Sequence, residues 1–134
     1  MNTVELLLKI DAGKLAEVPT KTMEIKRLSK MTGQPFMVKI KALSGRRYLG
    51  YADMARDNNN NISVDKLCDA NSLIVCAGMV EPDMKNKELQ EHFGAKTPKD
   101  LVEKIFRGGE IGKIADEIAE LSGYGKDTDD KVKD

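Results

Sequence analysis

The sequence predicts an α+β fold: a small antiparallel strand pair, residues 21–27 and 35–42, packed by about four helices, with a disordered tail over 126–134. Three observations carry this. Apolar and polar residues alternate in "FMVKIKA", the period of a half-buried strand. From Ser44 onward apolar residues recur at helical spacing instead. The apolar runs of that half are separated by glycines, prolines and residues suited to capping.

Around Val4–Ile10 the pattern suits a short helix or turn, followed by an extended approach through "AEVPT", since Pro19 disfavours helical angles at Val18. In "TMEIK" Met23 and Ile25 alternate with polar neighbours. The second strand is clearer: Phe36, Val38, Ile40 and Ala42 face one way, Met37, Lys39 and Lys41 the other. The link between them holds a helical turn at Leu28 and Met31 and closes at Gly33 and Pro35. Two strands do not stand alone, so helices must cover their apolar face.

Ser44 suits an N-cap, with Tyr48, Tyr51, Ala52 and Ala55 at helical spacing behind it. After the polar loop "RDNNNN", Ser63 suits the next cap, and Leu67, Ala70, Asn71, Ile74 and Ala77 share one side up to Gly78. Pro82 and Asp83 make a turn. Asn86 caps a short helix with Leu89 and Phe93, which Gly94 ends in the left-handed conformation. Thr97 caps another, with Pro98 in its first turn and Leu101, Val102, Ile105 and Phe106 buried. Gly108-Gly109 breaks the chain, and a last helix from about Glu110 turns Ile111, Ile114, Ala115, Ile118 and Leu121 inward. Residues 1–125 read as a single domain, and "KDTDDKVKD", with one apolar residue in nine, as a flexible acidic and polar tail.

The 134 residues carry 22 basic and 22 acidic side chains, unevenly spread. Residues 1–61 hold eleven Lys/Arg against six Asp/Glu; between Lys21 and Arg47 the ratio is eight to one. Cys68 and Cys76 lie too far apart on a shared helix to bridge, and read as small buried apolar groups in a reducing compartment. The start "MNTVELLLKI" lacks the features of a signal peptide, and "LIVCAGMV" is too short to span a bilayer, so the expected location is cytoplasmic, with no membrane partner.

No catalytic residue, cofactor or metal site is expected. His92, the single histidine, has no second histidine or nearby cysteine to share a metal, and a basic side chain there suits the end of its helix. "GGEIGK" departs twice from a phosphate-binding loop: three residues, not four, separate Gly108 from Gly112, and Ile114 follows Lys113. No pair of carboxylates stands out as an acid/base couple.

Two features point to a binding surface. Lys39 and Lys41 share the outer face of a strand with Met37, and Arg46 and Arg47 follow at a helix start. Such a basic face can meet an acidic protein or, through the segment 21–47, nucleic acid; the latter reading lacks aromatic stacking platforms, because Phe36 has the opposite parity. Met31, Met37, Met79 and Met84 add flexible thioethers in or near loops and on the outer strand face, which suit adaptable apolar contacts or fill gaps in a core poor in aromatics.

The runs "LLLKIDAGKL", "MEIKRLS", "IKALSG" and "GMVEPDMKNKELQEHFGAKTPKDLVEKIFRGGEIGKIADEIAELSGYG" resemble the XkdN-like phage tail assembly chaperone family, from about residue 5 to 125. The resemblance implies a non-enzymatic protein of phage or prophage tail morphogenesis. It implies binding to the tail tape measure protein and tail tube protein, absence from the finished virion, and in many members a second form extended by a ribosomal frameshift. It brings no catalytic residue with it. Met37, Lys39, Lys41, Arg46 and Arg47 are the expected partner-binding residues.

Overall fold

The computed structural model describes residues 2–125. Two short helices, α1 (Thr3–Leu8) and α2 (Ala12–Leu15), precede strand β1 (Thr20–Glu24) and helix α3 (Lys26–Thr32). Then come β2 (Met37–Lys41), α4 (Gly45–Asp53), α5 (Val64–Gly78) and β3 (Met79–Glu81). Helices α6 (Lys87–Phe93), α7 (Pro98–Ile105) and α8 (Gly108–Leu121) complete the described chain. The class is α+β, as predicted, with eight helices among the described residues in place of about four. The expected tail, 126–134, lies outside the described residues.

The parity of β2 organises the molecule. Its alternate residues Val38 and Ile40 are fully buried and join Ile74 and Val75 of α5, Leu101 and Val102 of α7, and Ile114 and Ile118 of α8 in one core. Five residues of α8 are buried on one side, Ile111, Ile114, Ala115, Ile118 and Ala119, at the spacing of an amphipathic helix. Helix α5 packs close to it at Gly78, where an added Cβ would fall 2.5 Å from Ile118 Cδ1.

The caps hold largely as read. Ser44, Asn86 and Thr97 side chains accept from the N–H groups of Arg47, Leu89 and Asp100. Gly33 and Gly94 end their helices at φ 74° and 68°. Ser63 is the N-cap residue of α5 but makes no side-chain cap bond.

Several expectations are corrected. The first strand ends at Glu24, not at residue 27, because Ile25 turns into α3. Its N–H still donates to Phe36 O at 3.0 Å, and Ser29 Oγ locks the turn by donating to Glu24 and accepting from the Phe36 N–H. The sheet has three strands, ordered β1-β2-β3 and antiparallel throughout. Strand β3 follows α5 directly at Gly78, where the helix was expected to end, and its three residues belong to no element that the sequence predicts. Met79 and Met84 are buried and fill the core. Gly108 and Gly109 open α8 rather than interrupt the chain, and the Glu110 carboxylate accepts from the Arg107 N–H at 2.8 Å. Cys68 is exposed, not buried, and Leu67 and Phe93 are also exposed, because the helix ends that carry them extend beyond the core.

Candidate functional site

The buried face of the sheet meets the helices; its other face carries Met37, Lys39 and Lys41, three of the five residues that the sequence singled out. Met37 is 48% exposed, Lys39 is exposed and Lys41 half-buried. The register sets Glu24 opposite Met37, Thr22 opposite Lys39 and Thr20 opposite Lys41. On the other side of β2, Glu81 is the partner of Lys39. The face is thus a mixed strip: an apolar thioether and two ammonium groups interspersed with hydroxyls and carboxylates. Val80 and Glu81 of β3 border the strip; three residues between a helix end and a turn are too short for alternation to mark them as a strand.

Arg46 and Arg47 stand elsewhere, exposed in the first turn of α4. The Arg47 guanidinium carbon lies 6.0 Å from the centre of the Tyr51 ring. It lines a shallow groove of about 260 Å³ with Tyr51, Cys76, Pro98 and Lys99, between α4, α5 and α7. None of the strand residues lines that groove. The structure therefore divides the five candidates into two sets, Met37/Lys39/Lys41 and Arg46/Arg47.

The basic segment 21–47 is divided further. Lys21, whose backbone partner is the inward-facing Ile40, ion-pairs with Glu117 of α8 at 2.6 Å. Arg27 donates to Glu110 of α8 from Nε and Nη2 and to the Ile105 carbonyl from Nη2 at 2.8 Å. Hydrogen bonding to these carboxylates raises the pKa of both basic groups, and the corresponding bond from Arg27 lowers that of Glu110. Two of the eight cations are thus committed to holding the N-terminal half against α8, which leaves a smaller basic face than the count suggests.

The thiol and the amine that line the groove beside Arg47 are both held in their protonated forms. Burial pushes the Cys76 thiol up to about 11, so its thiolate is scarce near neutral pH. Lys99 beside it is held between Glu103 at 2.7 Å and Asp69 at 3.0 Å, and hydrogen bonds to these carboxylates, Glu103 first, raise its pKa. His92 is exposed and meets Phe93 edge-on, with ring centroids 4.7 Å apart. Among the described residues no three His, Cys, Asp or Glu side chains gather as a metal site, and no helix is long and apolar enough to cross a membrane.

The fold is similar to the crystal structure of the protein yqbn, with a TM-score of 0.61 at 19% identity, over 85% of this chain and 92% of that one. At that identity the likeness speaks for the fold alone. No curated protein matches the sequence. Comparison with protein families, however, matches residues 4–134 to the phage XkdN-like tail assembly chaperone proteins, nearly the whole chain. The chain, with its three-stranded sheet on a helical core, belongs to the phage XkdN-like tail assembly chaperone family.

Proposed function

We propose that this chaperone acts in the host cytoplasm by holding the tail tape measure protein, and in turn tail tube subunits, until they assemble, and that it leaves before the virion is complete. Its work is binding and release, without catalysis. The observation that carries the reading is the family match over residues 4–134. A tape measure protein is long, helical and apolar on one face, so it aggregates until tube subunits cover it. A chaperone for such a client must bind weakly enough to be displaced, which favours adaptable contacts over a rigid aromatic anchor.

The outer sheet face suits that task. Met37 supplies a flexible apolar contact, and Lys39 and Lys41 attract acidic stretches of the client. Arg46 and Arg47, at the start of α4, provide a separate cationic contact for a client long enough to reach both. A frameshift-extended form of the same protein is a further proposed partner.

Co-expression tests this. The chaperone should keep the tape measure protein encoded nearby in solution and co-purify with it, and Met37→Glu should weaken the rescue without lowering the melting temperature. If neither the short nor an extended form bound tape measure or tube protein, the proposal would fail. Rescue unaffected by Met37→Glu would move the contact away from the sheet.

A further inference from the structure

Residues 2–18 form an arm. Every one of them is exposed, and α1 and α2 bury no side chain. Both helices are encoded locally: Asn2 Oδ1 accepts from the Glu5 N–H at 2.8 Å, and Asp11 Oδ2 from the Lys14 N–H at 3.3 Å. Yet helices of six and four residues are too short to persist in water without packing. Seven large apolar residues between Val4 and Val18 are 46–80% exposed. In α1, Val4, Leu7 and Leu8 share one face, with Glu5 and Leu6 away from it, so the helix presents an uncovered apolar face.

The body carries another uncovered apolar set. Leu49 and Met54 on and after α4, with Ile62, Val64 and Leu67 at the start of α5, are 41–75% exposed. They belong to one local unit, because Arg56 pairs with Ile62 as a β-bridge and the Ser63 N–H donates to Ala55 O. Leu49 borders an open groove with Ala52, Asp53 and Arg56. The arm leaves the body where Pro19 O accepts from the Ala42 N–H, two residues before the Ser44 cap of α4.

We propose that the arm docks on the α4–α5 patch of a second copy of this chain, each copy giving its arm and receiving its partner's. Arm and patch occur once per chain, so one two-fold axis satisfies both pairs. Seven residues at these exposures leave on the order of 700 Å² uncovered, above the ~300–600 Å² of a typical monomer's largest patch and near the ~800 Å² that each partner gives to a stable complex. Charge neither drives nor opposes the contact. The arm has Lys9 and Lys14 against Glu5, Asp11 and Glu17; residues 49–67 have Arg56 and Lys66 against Asp53, Asp57 and Asp65. The association is apolar and withstands salt.

The test is light scattering on the full chain alone, so its failure is separate from any failure of the chaperone reading. The expected result is twice the mass of one chain, at low and high salt. Leu7→Asp/Leu8→Asp should lose the dimer and keep the body folded, because both side chains are exposed and α1 buries no residue. Ile62→Asp/Val64→Asp should lose it as well, and mixing the two variants should restore a dimer through the one intact arm and the one intact patch. A monomer at every concentration, a dimer that survives either variant, or a mixture that stays monomeric would overturn the proposal. So would a monomeric chain whose arm variant loses capture of the tape measure protein, which would assign the arm to the client. If the patch variant does not fold, the arm variant decides alone.

Discussion

Arg27 and Glu110, eighty-three residues apart, fasten α3 to the first turn of α8 through Nε at 3.1 Å and Nη2 at 2.8 Å. Glu110 also accepts from the Arg107 N–H, so one carboxylate both caps a helix and holds a distant one.

This sets a pH dependence. The Arg27 hydrogen bond, opposed by partial burial and helped by the Arg107 N–H, holds the Glu110 carboxyl below the usual carboxylate range. A group lowered on folding stabilises the native state above its unfolded pKa, and that contribution disappears as pH falls through the folded value. Glu110→Gln should lower the melting temperature at neutral pH by a few degrees and flatten the acid loss below about pH 4. Calorimetric melts of both proteins across acidic pH check this; parallel curves would mean that the pair contributes nothing.

Gly78 and Ile118 predict a non-additive pair. A Cβ at Gly78 would meet Ile118 Cδ1 at 2.5 Å and Cγ1 at 2.9 Å, so Gly78→Ala should cost about 1–3 kcal/mol. Ile118→Val alone should cost about 0.5–1.5 kcal/mol. The double variant should lose less than the two together, because valine lacks the methyl that the new Cβ strikes. Urea titrations of the four proteins measure the coupling.

Ile114→Asp should be far more damaging. Ile114 is fully buried in the face that α8 turns to the core, where a carboxylate has no partner, so the expected cost is about 3–5 kcal/mol. An unchanged thermal melt would remove α8 from the core.

The basic segment gives the last prediction. With Lys21 and Arg27 paired to α8 and Lys39 beside Glu81, the strand face should bind DNA or RNA weakly, with little change on Lys39→Glu/Lys41→Glu. Tight binding that falls steeply with salt and is lost in that variant would replace the chaperone reading. Filter binding over a salt series decides.

The fold was legible where periodicity met an unambiguous stop. Val38 and Ile40 against Met37 and Lys39 gave β2 its faces, and Asn86, Gly94, Thr97 and Pro98 bracketed α6 and α7. It was not legible where one element runs into the next. Ile25 continues the alternation of β1 while its backbone already starts α3, and Met79 continues the apolar run of α5 while pairing with Ile40. The candidate surface shows the same limit. Strand parity placed Met37 and Lys39 together, but only tertiary packing could show that Arg47 lines a groove with α5 and α7, away from the strand face, or that Lys21 and Arg27 are engaged by α8.

Helix α5 carries two thiols in contrasting surroundings: Cys68 is open to solvent, while Cys76 is partly covered and held in its protonated form by that cover. Maleimide reagents act on the thiolate, so near neutral pH a fluorophore or spin label should attach at Cys68 before Cys76. The chain thus provides its own attachment point for spectroscopy, beside the apolar stretch of α5, and an encounter there can be followed without introducing a cysteine.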